Sequence, residues 1–560
     1  MRKFILIFVA FSALAPFLLF GISANADYLG QTQSFFTDSQ YDKYSRNNLD
    51  ATLMNVSDHA YFYIDNSYIN GLSRIDRTTL SAEIAELADE FDNNIYPKEI
   101  SFWGSEPNPG IDNDPRITVL LEQLVSGNGG YFDTTNEYLN SELRDKNSNQ
   151  REIVYINVGT LGNDLIKNFL AHEFQHLIDL NQKDLLRGVS EETWLNELRS
   201  EYTSAFLEYD SSFYFSSLQN RIGTFLNSPS DSLTEWPNVS LDYAEVFVFG
   251  RYLVDQYGPE ILSESLKSNL VGIDSINQFL QNHGFKERFT DIYGNWEAAD
   301  YLNDLSIDDQ HYGYKNSNLK VIKVTPNTSI NLFSSYGLSF SYVLKPWQPY
   351  WQKFNVQLDM IKTIELNFNS TDFEVMYLDN LDRVGFLSSK AYINNPGGLQ
   401  YFVLMPFYTA KTNNFNNPED SHALTVNMNF VDATENLVFG QITEAVADGS
   451  LIKKQGSSDL YVVEGKYKRY LLPEVIKMYG QLDPQKAITA DENTFNSYIT
   501  SNYIKNINDK KVYAVWPDGT KHWLNMTGQY FTESGRDWNS IFVINDSEIN
   551  FYKTGTDIKN

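Results

Sequence analysis

The stretch Ala171–Leu177 reads A-H-E-F-Q-H-L and contains H-E-x-x-H as His172, Glu173 and His176. On a helix, positions four apart lie one above the other on the same face. Two imidazoles so placed can grip one zinc ion from one side. Glu173, beside the first histidine, can then take a proton from a water that the metal activates. With seven histidines in 560 residues, this pattern is a specific signal.

Two histidines alone do not hold zinc firmly. A hydrolytic site needs three protein ligands and one open position. A third histidine six residues after the second is absent, because position 182 is Gln182, and Asp179 is no substitute. The next helix offers another solution in Thr193–Glu201, which reads T-W-L-N-E-L-R-S-E. Trp194, Leu195, Leu198, Tyr202, Ala205 and Phe206 form an apolar stripe at helical spacing, and Glu197 and Glu201 lie at its margin. Two carboxylates on a packed edge resist burial without a cation or a donor. A zinc ion for Glu197 and a histidine N–H for Glu201 would satisfy both. Glu191 and Glu192 are rival ligands, but they follow Ser190 in what looks like a first helical turn, where the helix dipole alone explains them.

His172-Glu173-x-x-His176 followed by Asn196-Glu197-x-x-Ser200-Glu201 resembles the gluzincin metallopeptidases, of which thermolysin is the best-known type. Residues 85–200 are most similar to the secreted bacterial hyicolysin-type peptidases. The stretches carrying this are Phe91–Pro97, Pro109–Asp112, Gly130–Phe132 and His172–Ile178. The resemblance implies a zincin-type catalytic domain with His172, His176 and Glu197 as zinc ligands. It further implies Glu173 as general base and Glu201 orienting His172. The negative tetrahedral intermediate needs one more donor, a Tyr or His. Tyr243 is the first candidate and His283 the second.

The elements that must position these residues follow from patterning. Residues 27–160 mix strands and helices: Ala60–Asp65, Ile117–Leu121 and Arg151–Val158 read as strands, and Leu80–Phe91 as a helix. Gly129-Gly130 suggests a bend into a short strand at Tyr131-Phe132. The strand at Arg151–Val158, or the one near Tyr131, could hold an extended peptide by strand addition. From 163 to 305 the pattern is helical, with Asn163 or Asp164 capping the helix of His172 and His176. Near 315 it changes to strands separated by Asn, Asp and Gly turns, the pattern of a β-sandwich. The last hundred residues repeat at an offset of 52 to 54, Leu460–Val463 echoed by Val512–Val515 and Lys468–Leu471 by Lys521–Leu524.

The expected architecture is therefore a multidomain α+β chain: residues 1–26 a signal peptide, 27–312 a zinc peptidase domain with a mixed α/β lobe and a helical lobe, 313–435 a β-sandwich, and 445–560 a tandem module of small β-rich repeats. Arg2 and Lys3, an apolar run from Phe4 to Ile22 and Ala24-Asn25-Ala26 make the export signal, with Asp27 as the expected mature start and an extracellular destination. A net charge of −29 argues against a nucleic-acid or anionic-membrane binder. The absence of cysteine excludes disulfides, thiolate catalysis and Cys-ligated metals. Asp112-Asn113-Asp114 could bind calcium, or form a polar turn. The repeats could contact a cell surface or a glycan, or act as a spacer. The reading that follows is a secreted zinc endopeptidase cutting protein or peptide substrates. The alternatives are a zinc aminopeptidase or amidase on the same scaffold, and a catalytically inactive surface adhesion or binding protein.

Overall fold

The computed structural model describes residues 26–560 except 145–146, 215, 308–309, 333–336, 357–362, 371, 396–397, 411–417, 432–445, 447, 455, 481, 491–494, 496–497, 507–508, 517 and 560. Of the expected signal segment, residues 1–26, all but the last lie outside the described residues. Among the described residues no helix is long and apolar enough to cross a membrane. One compact unit takes the described residues up to Ile100 together with Ser105–Leu177, and a second takes Ser101–Gly104 with Ile178–Asn560.

The first unit is built on six strands: β1 (Thr32–Phe36), β2 (Asn48–Val56), β3 (Ala60–Asp65), β4 (Ile117–Glu122), β5 (Gly130–Phe132) and β6 (Ile153–Asn157). Their order across the sheet is β1-β2-β3-β4-β6-β5. The parallel strands β3, β4 and β6 lie in its middle and are buried on both faces, so they read as nearly continuous apolar runs. Tyr61, Tyr63, Leu120, Ile153 and Tyr155 belong to the core on one face, together with Phe35, Leu49 and Leu53 from β1 and β2. Strand β6 is hydrogen-bonded on both sides, to β4 and to the antiparallel β5. The expectation that Arg151–Val158 could receive a peptide is therefore corrected. Both its edges are paired, and among the described residues the sheet ends at β1 on one side and at β5 (Gly130–Phe132) on the other. Helices α1 (Asn66–Asn70), α2 (Arg74–Glu90) and α3 (Tyr96–Trp103) connect β3 to β4. Ser73 and Asp76 start α2 with a reciprocal capping box.

Helix α4 (Leu165–Leu180) follows β6. Asn163 begins it: its side-chain oxygen accepts a hydrogen bond from the Leu165 N–H at 3.0 Å. Ile166, Leu170, Phe174 and Leu177 are buried along one stripe, with Ala171 and Ile178 beside it.

The second unit continues with α5 (Thr193–Phe206), α6 (Ser217–Asn227), α7 (Ser240–Tyr257), α8 (Glu260–Leu266), α9 (Gly272–Asn282) and α10 (Phe289–Leu302). Gly258 stops α7 with φ +84°, left-handed backbone that suits glycine. Nine strands follow: β7 (Thr328–Leu332), β8 (Leu338–Leu344), β9 (Gln352–Val356), β10 (Thr363–Phe368), β11 (Phe373–Asp379), β12 (Val384–Phe386), β13 (Lys390–Asn394), β14 (Tyr401–Tyr408) and β15 (His422–Val431). They form two sheets, β13-β10-β15-β8 and β12-β11-β14-β9-β7, whose inner side chains share one hydrophobic core.

The C-terminal repeat is a repeat of topology as well as sequence. Leu451–Lys454, Leu460–Glu464 and Tyr467–Leu471 make an antiparallel meander, flanked in parallel by Ile488–Ala490 and Ile499–Thr500. Tyr503–Asn506, Val512–Val515 and Thr520–Asn525 repeat the meander, flanked in parallel by Ile541–Ile544 and Lys553–Thr554. Arg469 of the first copy is buried and makes a two-pronged ion pair with Glu548 of the second.

Candidate metal centre

Helical spacing puts His172 and His176 one turn apart, and their Nε2 atoms lie 3.1 Å from each other. Two nitrogens bound tetrahedrally to one zinc at ordinary bond lengths stand roughly 3.3 Å apart. The ligand atoms of His172, His176 and Glu197 all lie within 4.8 Å of one another. Among the described residues this is the one group of three or more His, Cys, Asp or Glu that converges so closely. All three side chains are partly exposed, which leaves access for a reactant. Two imidazoles and a carboxylate suit zinc, and three protein ligands leave its fourth position open.

Glu173 is buried, 6% exposed. Its neighbour is the edge strand. A Cβ placed on Gly130 would meet Glu173 Cγ at 2.8 Å, Glu173 Oε1 at 2.9 Å and the Tyr155 carbonyl oxygen at 2.8 Å. A Cβ on Gly129 would strike the Phe169 ring at 2.3 Å. The two glycines therefore let the start of β5 lie directly against α4, with Gly130 beside the Glu173 side chain. Sequence reading noted this glycine pair only as a bend.

Glu201 is 8% exposed and receives two hydrogen bonds from Arg221 on α6, Nε to Oε2 at 2.9 Å and Nη2 to Oε1 at 2.5 Å. The Arg221 guanidinium also lies over the Tyr243 ring, 5.0 Å from its centroid. Burial works against the charge of Arg221, but Glu201 first, then Tyr243 and Glu197, hold it protonated more firmly than usual. Tyr243 stands in the first turn of α7 and donates its hydroxyl to Asn238 Oδ1 at 3.0 Å. His283 ends α9, pairs with Glu264 at 2.8 Å and stacks on Phe279. Of the two candidate donors, Tyr243 is thus the one joined to Glu201, through Arg221. Arg221 was missed by sequence reading. The signal for its helix was present in Leu218, Ile222 and Phe225, all buried at helical spacing.

Glu191 and Glu192 need a different account from the helix dipole. Helix α5 starts at Thr193, and both acids precede it. Glu191 is buried against Arg199 at 2.8 Å and Lys183 at 3.2 Å, and it accepts the Gly272 N–H. Burial alone would raise its carboxyl, yet Arg199 and Lys183 outweigh that and hold it below the usual range. Arg199 also pairs with Asp179 at 3.2 Å, in the last turn of α4. Burial and the charge of Arg199 push Lys183 down to about 8. This buried network ties the end of α4 to α5, three residues after His176 and two after Glu197. Glu192 accepts the Trp194 indole N–H at 2.8 Å.

The turn at Asp112–Asp114 is held by its own hydrogen bonds. Asp112 accepts the Asp114 N–H, while Asp114 accepts the Arg116 N–H and the Tyr61 hydroxyl. Asn113 takes left-handed backbone with φ 61°.

With the geometry in place, comparison with known proteins adds one relationship. No family model matches the chain. It is similar to the neutral metalloprotease ShpI of Staphylococcus hyicus, 28% identical over 224 residues. The match takes in 35% of this chain and 48% of that protein. The chain thus spans about half the length of this curated relative. That likeness supports a metalloprotease relationship. A solved structure of PliG, a periplasmic inhibitor of g-type lysozyme from Salmonella Typhimurium, covers 19% of this chain at 10% identity. Its TM-score is 0.15, which carries no argument.

Proposed function

We propose that this chain is a secreted zinc-dependent endopeptidase of the gluzincin type. The observation that carries the reading is the convergence of His172, His176 and Glu197 beside a buried Glu173. The likeness to a metalloprotease supports it independently. Zinc held by the two imidazoles and the Glu197 carboxylate would supply Lewis acidity, polarising a peptide carbonyl and making a water easier to deprotonate.

The remaining work belongs to the chain. Glu173 accepts the water proton and returns it to the leaving amine. An extended substrate would add as a strand to the outer edge of β5, the strand whose Gly130 lies close to Glu173. Backbone pairing there holds the peptide across the site, which favours cleavage within a chain over trimming at its end. Glu201 orients His172. Tyr243 donates to the oxyanion as the carbonyl carbon becomes tetrahedral. The signal segment directs the protein out of the cell, and the C-terminal repeats provide a surface for cell-surface or glycan contact.

Chelation followed by add-back tests this. Apo-protein is expected to lose casein cleavage and to regain it with about one zinc per chain. Mapped products are expected to come from internal bonds. Release of single N-terminal residues would instead support an aminopeptidase. A folded protein that takes up no zinc would support a binding role.

A further inference from the structure

Arg221 is not part of the recognised zinc motifs, yet it joins three helices. It stands on α6, its guanidinium forks onto Glu201 of α5, and the same group lies on the ring of Tyr243 of α7. Trp236 meets that ring edge-on from another direction, with centroids 5.1 Å apart. The Tyr243 ring is thereby packed by both the guanidinium and an indole, while its hydroxyl reaches Asn238. Glu197 and Glu201 are two acids one turn apart on α5, and Arg221 is the cation that feels both. A lysine could bring the charge but neither the fork nor the flat face that stacks on an aromatic ring.

We infer that Arg221 is a positioning residue for the proposed peptidase reaction, one guanidinium fixing the Glu201 carboxylate and the Tyr243 ring together. The inference rests on the reading above, in which Glu201 orients a zinc ligand and Tyr243 stabilises the oxyanion. Its consequence is a coupling between the two: a change at Arg221 acts on catalysis through Tyr243, without removing the metal.

Arg221→Lys tests it. Steady-state cleavage of a quenched-fluorescence peptide is expected to show kcat lowered about tenfold to a hundredfold, KM changed by less than about threefold, and zinc retained. In a Tyr243→Phe background, Arg221→Lys is expected to cost far less than in the wild type. A merely structural role would instead lower zinc content and melting temperature and multiply the two losses. That result overturns the inference, as does a wild-type kcat in Arg221→Lys. Should the lysine variant not fold, Glu201→Gln loosens the fork from its other end, and the same loss of additivity with Tyr243→Phe is expected. Multiplicative losses there overturn it. Glu173→Gln is measured alongside. If it stops cleavage while Arg221→Lys is silent, only this inference falls; if it cleaves normally, the peptidase reading falls and this one with it.

Discussion

Replacing Gly130 with alanine probes the contact between the edge strand and the proposed general base. The added methyl carbon would stand 2.8 Å from Glu173 Cγ, 2.9 Å from Glu173 Oε1 and 2.8 Å from the Tyr155 carbonyl oxygen. Carbon atoms at ease lie about 3.5–4.0 Å from their neighbours, so all three contacts must open. Tyr155 cannot yield cheaply, because β6 is bonded on both sides and its ring is stacked against Tyr131. Either β5 backs away from α4 or the Glu173 side chain turns. Overpacking of this kind costs about 1–3 kcal/mol. A shift of the order of 1 Å at a reacting group costs up to about a hundredfold in rate. Peptide cleavage by Gly130→Ala is therefore expected to fall about tenfold to a hundredfold in kcat/KM. Zinc content is expected to hold, since the three atoms nearest the methyl belong to Glu173 and Tyr155 and not to a proposed ligand. The assay is steady-state hydrolysis with metal analysis on the same sample. A kcat/KM within about twofold of wild type would refute the reasoning that the glycine lets the strand approach Glu173.

Three further outcomes follow from the same geometry. Gly223 is exposed in α6 with nothing within 4 Å of a Cβ, so Gly223→Ala should raise thermal stability by about 0.5–1 kcal/mol and leave cleavage unchanged. Glu191→Ala strips the buried Arg199 and Lys183 of their shared anion and should cost about 3–5 kcal/mol in denaturant titration; Glu192→Ala loses one indole hydrogen bond and should cost about 1 kcal/mol, and equal losses would contradict the network. Burial raises the Glu122 carboxyl to about 8, against the Tyr131 hydroxyl that donates to it. A folded pKa raised above the unfolded value makes the protonated acid's contribution complete below about 4.5. It is then lost as pH rises toward 8, at a slope of up to about 1.4 kcal/mol per pH unit. Glu122→Gln should flatten that alkaline decline in melting temperature, and an unchanged profile would argue against it.

What could be read from sequence here was what depended on local spacing. His172 and His176 sit one turn apart, and Glu197 and Glu201 do the same, so each pair announced itself without a fold. The strands at Ala60–Asp65 and Ile117–Leu121 were legible because parallel strands buried on both faces are apolar throughout. The repeat was legible because it is self-similar. The rest depended on partners far away in sequence. That β5 rather than β6 has the free edge is a property of strand order. Glu191 looked like a helix start, and its burial comes from Lys183, Arg199 and Gly272 together. Arg221 is twenty residues from Glu201 and meets Tyr243 on a third helix, so nothing in its own neighbourhood marked it. The polar turn at Asp112–Asp114 was legible from its residue types, but its tie to the Tyr61 hydroxyl, fifty-three residues from Asp114, was not.

The central claim is that Glu173 moves the proton at a zinc site formed by His172, His176 and Glu197. Glu173→Gln keeps the shape of the side chain and removes the base, so measuring zinc content and peptide cleavage on that single variant tests the claim most directly. About one zinc per chain, as in wild type, is expected, with cleavage lowered about a hundredfold to ten-thousandfold. Cleavage at the wild-type rate would contradict it.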